Sequence, residues 1–97
     1  MRYTIVVAPE AVRDVERLKP YVRSAVRDVI EESLRHAPMR VSKSRIKRLQ
    51  GISRPQFRLR AGEVRVFYDV REAVVEILAV VPKAEAAAWL AREGRTG

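Results

Sequence analysis

Apolar and polar residues alternate through Gln56–Ala61 (QFRLRA) and again from Val64 (VRVFYDV), and an apolar run broken only by Glu76 fills Val74–Val81. A period of two marks half-buried strands, and a short run apolar on both sides suits a central, covered one, so this stretch predicts three consecutive β-strands. With Gly62-Glu63 as a two-residue hairpin loop, Ala61 stands opposite Val64, Arg60 opposite Arg65 and Arg58 opposite Phe67. Phe57, Leu59, Ala61, Val64, Val66 and Tyr68 then share one face, a core face. The other face gathers Arg58, Arg60 and Arg65 beside Phe67. Like charges opposite one another cost roughly 0.2–1 kcal/mol per pair, so Arg60 across from Arg65 points to an anion as the reason for the cluster.

Upstream, the β-branched run in Tyr3–Ala8 predicts a first strand closed by Pro9. Pro9 and Glu10 suit the first turn of a helix, and Val12, Val15 and Leu18 give it one apolar stripe that ends near Lys19. A second amphipathic helix is predicted from Pro20 to Arg35, making an αα-hairpin laid on the sheet. His36–Arg54 has no sustained period and reads as a long connection, with one helical turn around Ile46–Leu49 and with Ile46, Leu49 and Ile52 pinning it to the core. Val70-Arg71-Glu72-Ala73 turns the chain between the last two strands, Pro82 ends the last one, and Glu85–Arg92 forms a short helix with Ala86, Trp89 and Leu90 on one side. Gly94–Gly97 is expected to fray. The order is β-α-α-β-β-β-α, an α+β fold in which a helical hairpin packs on a small, mainly antiparallel sheet; the first strand joins at an edge or beside the last strand.

Ninety-seven residues make one domain, 1–97. The absence of cysteine excludes disulfides, thiolate metal sites and cysteine nucleophiles, and a single histidine argues against a zinc cluster. The longest apolar stretch is about half of the roughly 20 residues that span a bilayer, and MRYTIVVAPE is no secretory signal, so a soluble, cytoplasmic protein is expected. Charge sharpens the picture. Arg40–Arg65 holds nine basic residues and one acid, and nine minus one equals the whole net charge of +8; the rest of the chain holds eleven of each sign. Such local excess is the footprint of a polyanion partner.

The order of elements, with VAPEAVRDVERL after the first strand, IKRLQG before the meander and QFRLRAGEVRVFYDV within it, resembles the RelE/ParE superfamily of bacterial toxins over nearly the whole chain, closer to its RelE side. The resemblance implies a toxin of a type II toxin–antitoxin system, made beside an antitoxin and held with it in a hetero-oligomer. RelE-like members cleave messenger RNA in the ribosomal A site, whereas ParE-like members poison DNA gyrase, and the fold alone does not choose between them. In RelE-like toxins two basic residues on the second strand and an arginine on the third face the scissile phosphate. Those positions are Arg58, Arg60 and Arg65 here, which favours a ribosome-dependent mRNA endoribonuclease. The family's C-terminal catalytic arginine and downstream tyrosine fall near Ala84 and Leu90, so neither type is retained, and Lys83 is the residue that substitutes. Lys43, Arg45, Lys47 and Arg48 are expected to hold RNA through phosphate contacts. The alternatives are a non-catalytic, gyrase-directed toxin and a catalytically silent RNA- or antitoxin-binding relic. No metal or organic cofactor is implied.

Other residues weigh less. Glu63 is a possible base, but its place at a hairpin tip favours simple solvation. Trp89 is read as packing, His36 as a cation at a helix C-terminus, and Tyr68 as core. Asp69 is expected on the arginine face, orienting Arg58 or Arg65 through a salt bridge.

Overall fold

The computed structural model describes residues 1–96. β1 (Thr4–Val7) runs through Ala8 into α1 (Pro9–Glu16), and α2 (Pro20–Leu34) follows; each helix begins on a proline, whose missing N–H is no loss in a first turn. α1 stops at Glu16, earlier than its stripe suggests, because Arg23 of α2 takes the freed carbonyls of Val15 (3.2 Å), Glu16 (3.2 Å) and Leu18 (3.0 Å). The far end of α2 is tied to the start of β1, with Tyr3 N–H donating to Arg35 O (2.8 Å) and the Arg35 guanidinium to Tyr3 O (3.0 Å).

β2 (Ile46–Arg48), β3 (Phe57–Ala61), β4 (Val64–Arg71) and β5 (Val74–Pro82) complete a five-stranded sheet in the order β1-β5-β4-β3-β2, antiparallel except for the parallel β1–β5 pair. β1 thus lies beside the last strand. β3 and β4 pair in the expected register, Ala61 with Val64, Arg60 with Arg65 and Arg58 with Phe67, around Gly62 at φ +62°. A positive φ in the first loop position matches the right-handed twist of the strands, and glycine reaches it without strain.

The segment around Ile46 is a strand and not the expected helical turn. It completes the open edge of β3: Ser42 Oγ accepts from the N–H groups of Arg45 (3.0 Å) and Ile46 (3.3 Å), and Arg60 N–H donates to Arg45 O (2.8 Å). The three apolar anchors then diverge. Ile46 enters the core under the helices, Leu49 packs on the opposite face of the sheet, and Ile52 lies 3.6 Å from the place a Gly94 side chain would occupy.

β4 and β5 slip register between Phe67–Ala79 and Tyr68–Ile77, leaving Leu78 without a partner. This bulge lets both sides of β5 stay apolar, with Val75, Ile77 and Val80 in the helix-side core and Ala79 and Val81 on the other face. Asp14 of α1 accepts from Val80 N–H (3.0 Å) beside it. The helix-side core also holds Phe57, Leu59, Val66 and Tyr68, with Phe57 and Tyr68 stacked at 5.4 Å. Tyr68 donates to Pro38 O (2.6 Å), and burial raises its phenol pKa.

After Pro82 a 3₁₀ turn (Lys83–Glu85) enters α3 (Ala86–Glu93). The tail beyond it does not fray through Arg95: Arg95 N–H donates to Arg54 O (2.8 Å), and Ser53 N–H donates to Arg95 O (2.7 Å). Gly97, also expected to fray, lies outside the described residues. Among the described residues no helix is long and apolar enough to cross a membrane.

Candidate nucleic-acid interface

The helical hairpin covers one face of the sheet, and the other face carries the charge. Cross-strand partners share a face, with Cβ atoms about 4.5–5.5 Å apart. Lys47, Arg58 and Phe67 therefore form one row, and Arg60 and Arg65 the next row toward the hairpin tip. Arg45 joins that second row, its carbonyl accepting from Arg60 N–H and its guanidinium donating to Arg60 O (3.2 Å). Five cations thus occupy two adjacent rows, and among the described residues none of them forms an ion pair.

The three strand arginines are not equivalent. Arg60 is exposed. Arg65 is only 6% exposed, and its Nη1 donates to Gly62 O (2.8 Å) and Val64 O (3.1 Å), which ties its guanidinium to the hairpin. Arg58 is half-buried, and its Nε is enclosed with no acceptor. Burial lowers the Arg58 pKa, and the charges of Arg65 and then Arg60 push it the same way. Arg58 is therefore a partly buried cation with a donor left unsatisfied in the free protein.

Lys83 opens the turn after β5, where its N–H donates to Glu63 O (2.7 Å) at the hairpin tip. The two residues weighed for proton transfer therefore meet through the main chain at the edge of the arginine rows, both side chains in solvent. Arg48 points to the other face, its guanidinium 5.2 Å from the Phe57 ring centre, and so leaves the group formed by Arg45 and Lys47. Lys43 is exposed on the turn before β2, with no side-chain bond to the rows. His36 lies just past α2, with Nδ1 3.2 Å from Met1 O.

Asp69 does share the open face, but it serves neither Arg58 nor Arg65. Its carboxylate accepts from Gln56 N–H (2.8 Å) and pairs with Arg54 Nε (3.3 Å), while Arg54 Nη2 reaches Glu76 (3.3 Å). The signal for this cluster was Glu76 itself, a carboxylate within an otherwise apolar strand that calls for a cation. Trp89 of α3 stacks on Phe67 with centroids 4.8 Å apart and planes 10° from parallel, and it caps the apolar strip of Ala79 and Val81.

A helical hairpin on one side of a mixed sheet, with five cations that form no ion pair among the described residues on the other, defines a small α+β protein with one cationic face. The family model described as ParE toxin of the type II toxin–antitoxin system matches residues 5–87, and the chain belongs to the RelE/ParE superfamily of type II toxins. A chain of the toxin–antitoxin complex RelBE2 from Mycobacterium tuberculosis is 30% identical, with a TM-score of 0.66, covering 84% of this chain and 99% of that one. A chain of the archaeal RelE–RelB complex from Pyrococcus horikoshii is 25% identical, with a TM-score of 0.64, over 86% and 97%. A double arginine-to-alanine mutant of E. coli toxin RelE in the free state superposes with a TM-score of 0.69 at 23% identity, over 94% and 93%, a likeness of fold. No curated protein matches the sequence.

Proposed function

We propose that this chain is a ribosome-dependent mRNA endoribonuclease whose toxicity comes from arrested translation. The observation that carries the reading is the two cationic rows, free of ion pairs among the described residues, with the enclosed, acceptor-free Nε of Arg58 in the first of them. In the reaction, a ribose 2′-hydroxyl loses its proton to water and attacks its adjacent phosphorus as the bond to the next 5′-oxygen breaks, leaving a cyclic phosphate and, once that oxygen is protonated, a 5′-hydroxyl. Negative charge collects on the phosphoryl oxygens, where Arg58, Arg60 and Arg65 stabilise it. Arginine stays protonated and is a poor acid or base, so Lys83 protonates the leaving oxygen. Arg45 and Lys47 extend the anion track, and Lys43 and Arg48 meet more distant phosphates.

The partner is a cognate antitoxin, by analogy with the RelBE2 and archaeal RelE–RelB complexes. An open apolar groove of about 540 Å³ between β1, α1 and α2, lined by Ile5, Val7, Val12 and Ile30, is the place for its amphipathic helix.

Primer extension on a defined mRNA in a cell-free translation system tests the activity. Ribosome-dependent cuts that vanish in Arg58→Ala are expected, and intact mRNA with wild-type protein refutes it. The second reading, a gyrase-directed toxin, draws on the match to the ParE family model and on Ala84 and Leu90 at the positions of the RelE arginine and tyrosine. Stalled gyrase–DNA cleavage with whole mRNA would establish it.

A further inference from the structure

One row beyond Phe67, away from the hairpin tip, the open face hollows into an open cavity of about 330 Å³ between the start of α1, β5 and α3. That volume lies at the lower end of the range for small-ligand sites. Its apolar walls are Pro9, Leu78 and Trp89, and its rim includes Glu10, Arg13 and Arg95. Two features set it apart from a surface dent. The bulge in β5 leaves Leu78 unpaired, and Leu78 lines this hollow; bulges recur beside sites because they re-aim a side chain. Arg13 and Arg95 form no ion pair among the described residues, whereas Arg54, which also lines the cavity, is paired with Asp69 and with Glu76, another lining residue.

An aromatic edge with aliphatic walls and a rim of both donors and acceptors suits a flat heterocycle with a polar edge. Trp89 also joins the two regions, since its ring stacks on Phe67 in the row of Arg58 while the same side chain lines the cavity. Adjacent rows are two residues, or about 7 Å, apart along a strand. The cavity opens on β5 and α3 and Arg58 stands on β3, two strands away at about 4.8 Å each, so the main chains under the two sites are about 12 Å apart.

We propose that the cavity bounded by Pro9, Leu78 and Trp89 is a nucleobase subsite, holding the base next to the phosphate bound by Arg58, Arg60 and Arg65. The assignment rests on the RNA-binding reading of those arginines and adds the direction of the strand, from the hairpin tip across Phe67 toward α1. Arg13 and Arg95 donate to carbonyl and ring-nitrogen acceptors of the base, and Glu10 accepts from its amino groups.

Trp89 is the chain's single tryptophan and reports directly. The full chain is titrated with adenosine, ribose 5-phosphate and the dinucleoside monophosphate ApA. Adenosine is expected to quench Trp89 emission saturably, and ribose 5-phosphate is expected not to. Arg13→Ala should weaken the adenosine response about tenfold through loss of a charge-assisted hydrogen bond, and Leu78→Phe should abolish it by filling the cavity. ApA should bind at least about tenfold tighter than adenosine through stacking plus the phosphate contact, and Arg58→Met should erase that gain while leaving adenosine unchanged. No quench by adenosine, or a quench that neither Arg13→Ala nor Leu78→Phe alters, overturns the subsite. Adenosine quenching without any gain for ApA makes the cavity a free-nucleoside site and overturns its place on an RNA path. An ApA gain that survives in Arg58→Met refutes the phosphate reading separately.

Discussion

Replacing Arg58 by methionine should stabilise the free protein and remove its affinity for anions. The substitution keeps an unbranched apolar stem against Phe67 and deletes the guanidinium. An enclosed N–H without an acceptor costs about 1–3 kcal/mol, and Nε of Arg58 is in that state. Relief from the facing Lys47 adds roughly 0.2–1 kcal/mol, so the expected gain is about 1–4 kcal/mol at low salt. For a domain of this size each kcal/mol moves Tm by about 4–8 °C. Thermal melts in low-salt buffer without phosphate or sulfate read this directly. Arg60→Met is the control: that side chain is exposed, and its change should stay within about 0.5 kcal/mol. A short RNA at ten times its Kd should then raise the stability of the wild type by about 1.4 kcal/mol, and that of Arg58→Met hardly at all. An Arg58→Met protein less stable than the wild type would refute the reasoning, because Nε would then be holding something together.

Three further outcomes follow from individual contacts. Tyr68→Phe strips Pro38 O of its donor and should cost about 1–3 kcal/mol in urea unfolding. Because burial raises the Tyr68 pKa, the unfolded chain ionises first; wild-type stability should fall as pH rises above about 10, by up to about 1.4 kcal/mol per pH unit, and Tyr68→Phe should lack that part of the slope. Gly62→Ala meets no neighbour within 4 Å, so its loss of about 1–2 kcal/mol on denaturation should come from the positive φ alone. Single-stranded RNA affinity should fall with salt at a log–log slope of about −3.5 for the five cations in two rows; Lys47→Ala should make it shallower by about 0.7, and Arg54→Ala should leave it unchanged because Asp69 and Glu76 already occupy that guanidinium.

The β3–β4 hairpin was legible because two local signals agree: a glycine able to take a positive φ, and strands whose alternation permits one parity. Placing Arg58, Arg60 and Arg65 on one face required nothing more. What escaped depends on residues distant in sequence. β2 is three residues long and carries two cations, so propensity is silent, and it exists because β3 offers a free edge. Alternation places Asp69 on the correct face but cannot name its arginine, since only the folded loop brings Arg54 beside it. The Arg95 bridge to Arg54 joins the tail to that loop, and Gly94 allows it: a Cβ there would lie 2.6 Å from Leu90 O. The cavity was invisible for a related reason, as a one-residue slip in pairing leaves no trace in a run of apolar residues.

The two faces of the sheet make opposite demands, and the C-terminal segment reconciles them. The helix side is covered by α1 and α2 and, apart from the groove they leave beside β1, is built for packing. On the other side Phe67, Ala79 and Val81 form an apolar strip that water would penalise, while beside it Arg60 is exposed and Arg58 half-buried. α3 resolves this by lying only on the strip, through Ala86, Trp89 and Leu90, and by being pinned at both ends: Lys83 N–H to the hairpin tip, and Arg95 to Arg54. Cover and opening thus share a border at the Phe67–Trp89 stack. On the proposed function, a ligand held by Arg58 would lie along that border, and the stack, although built as packing, would form part of its binding surface.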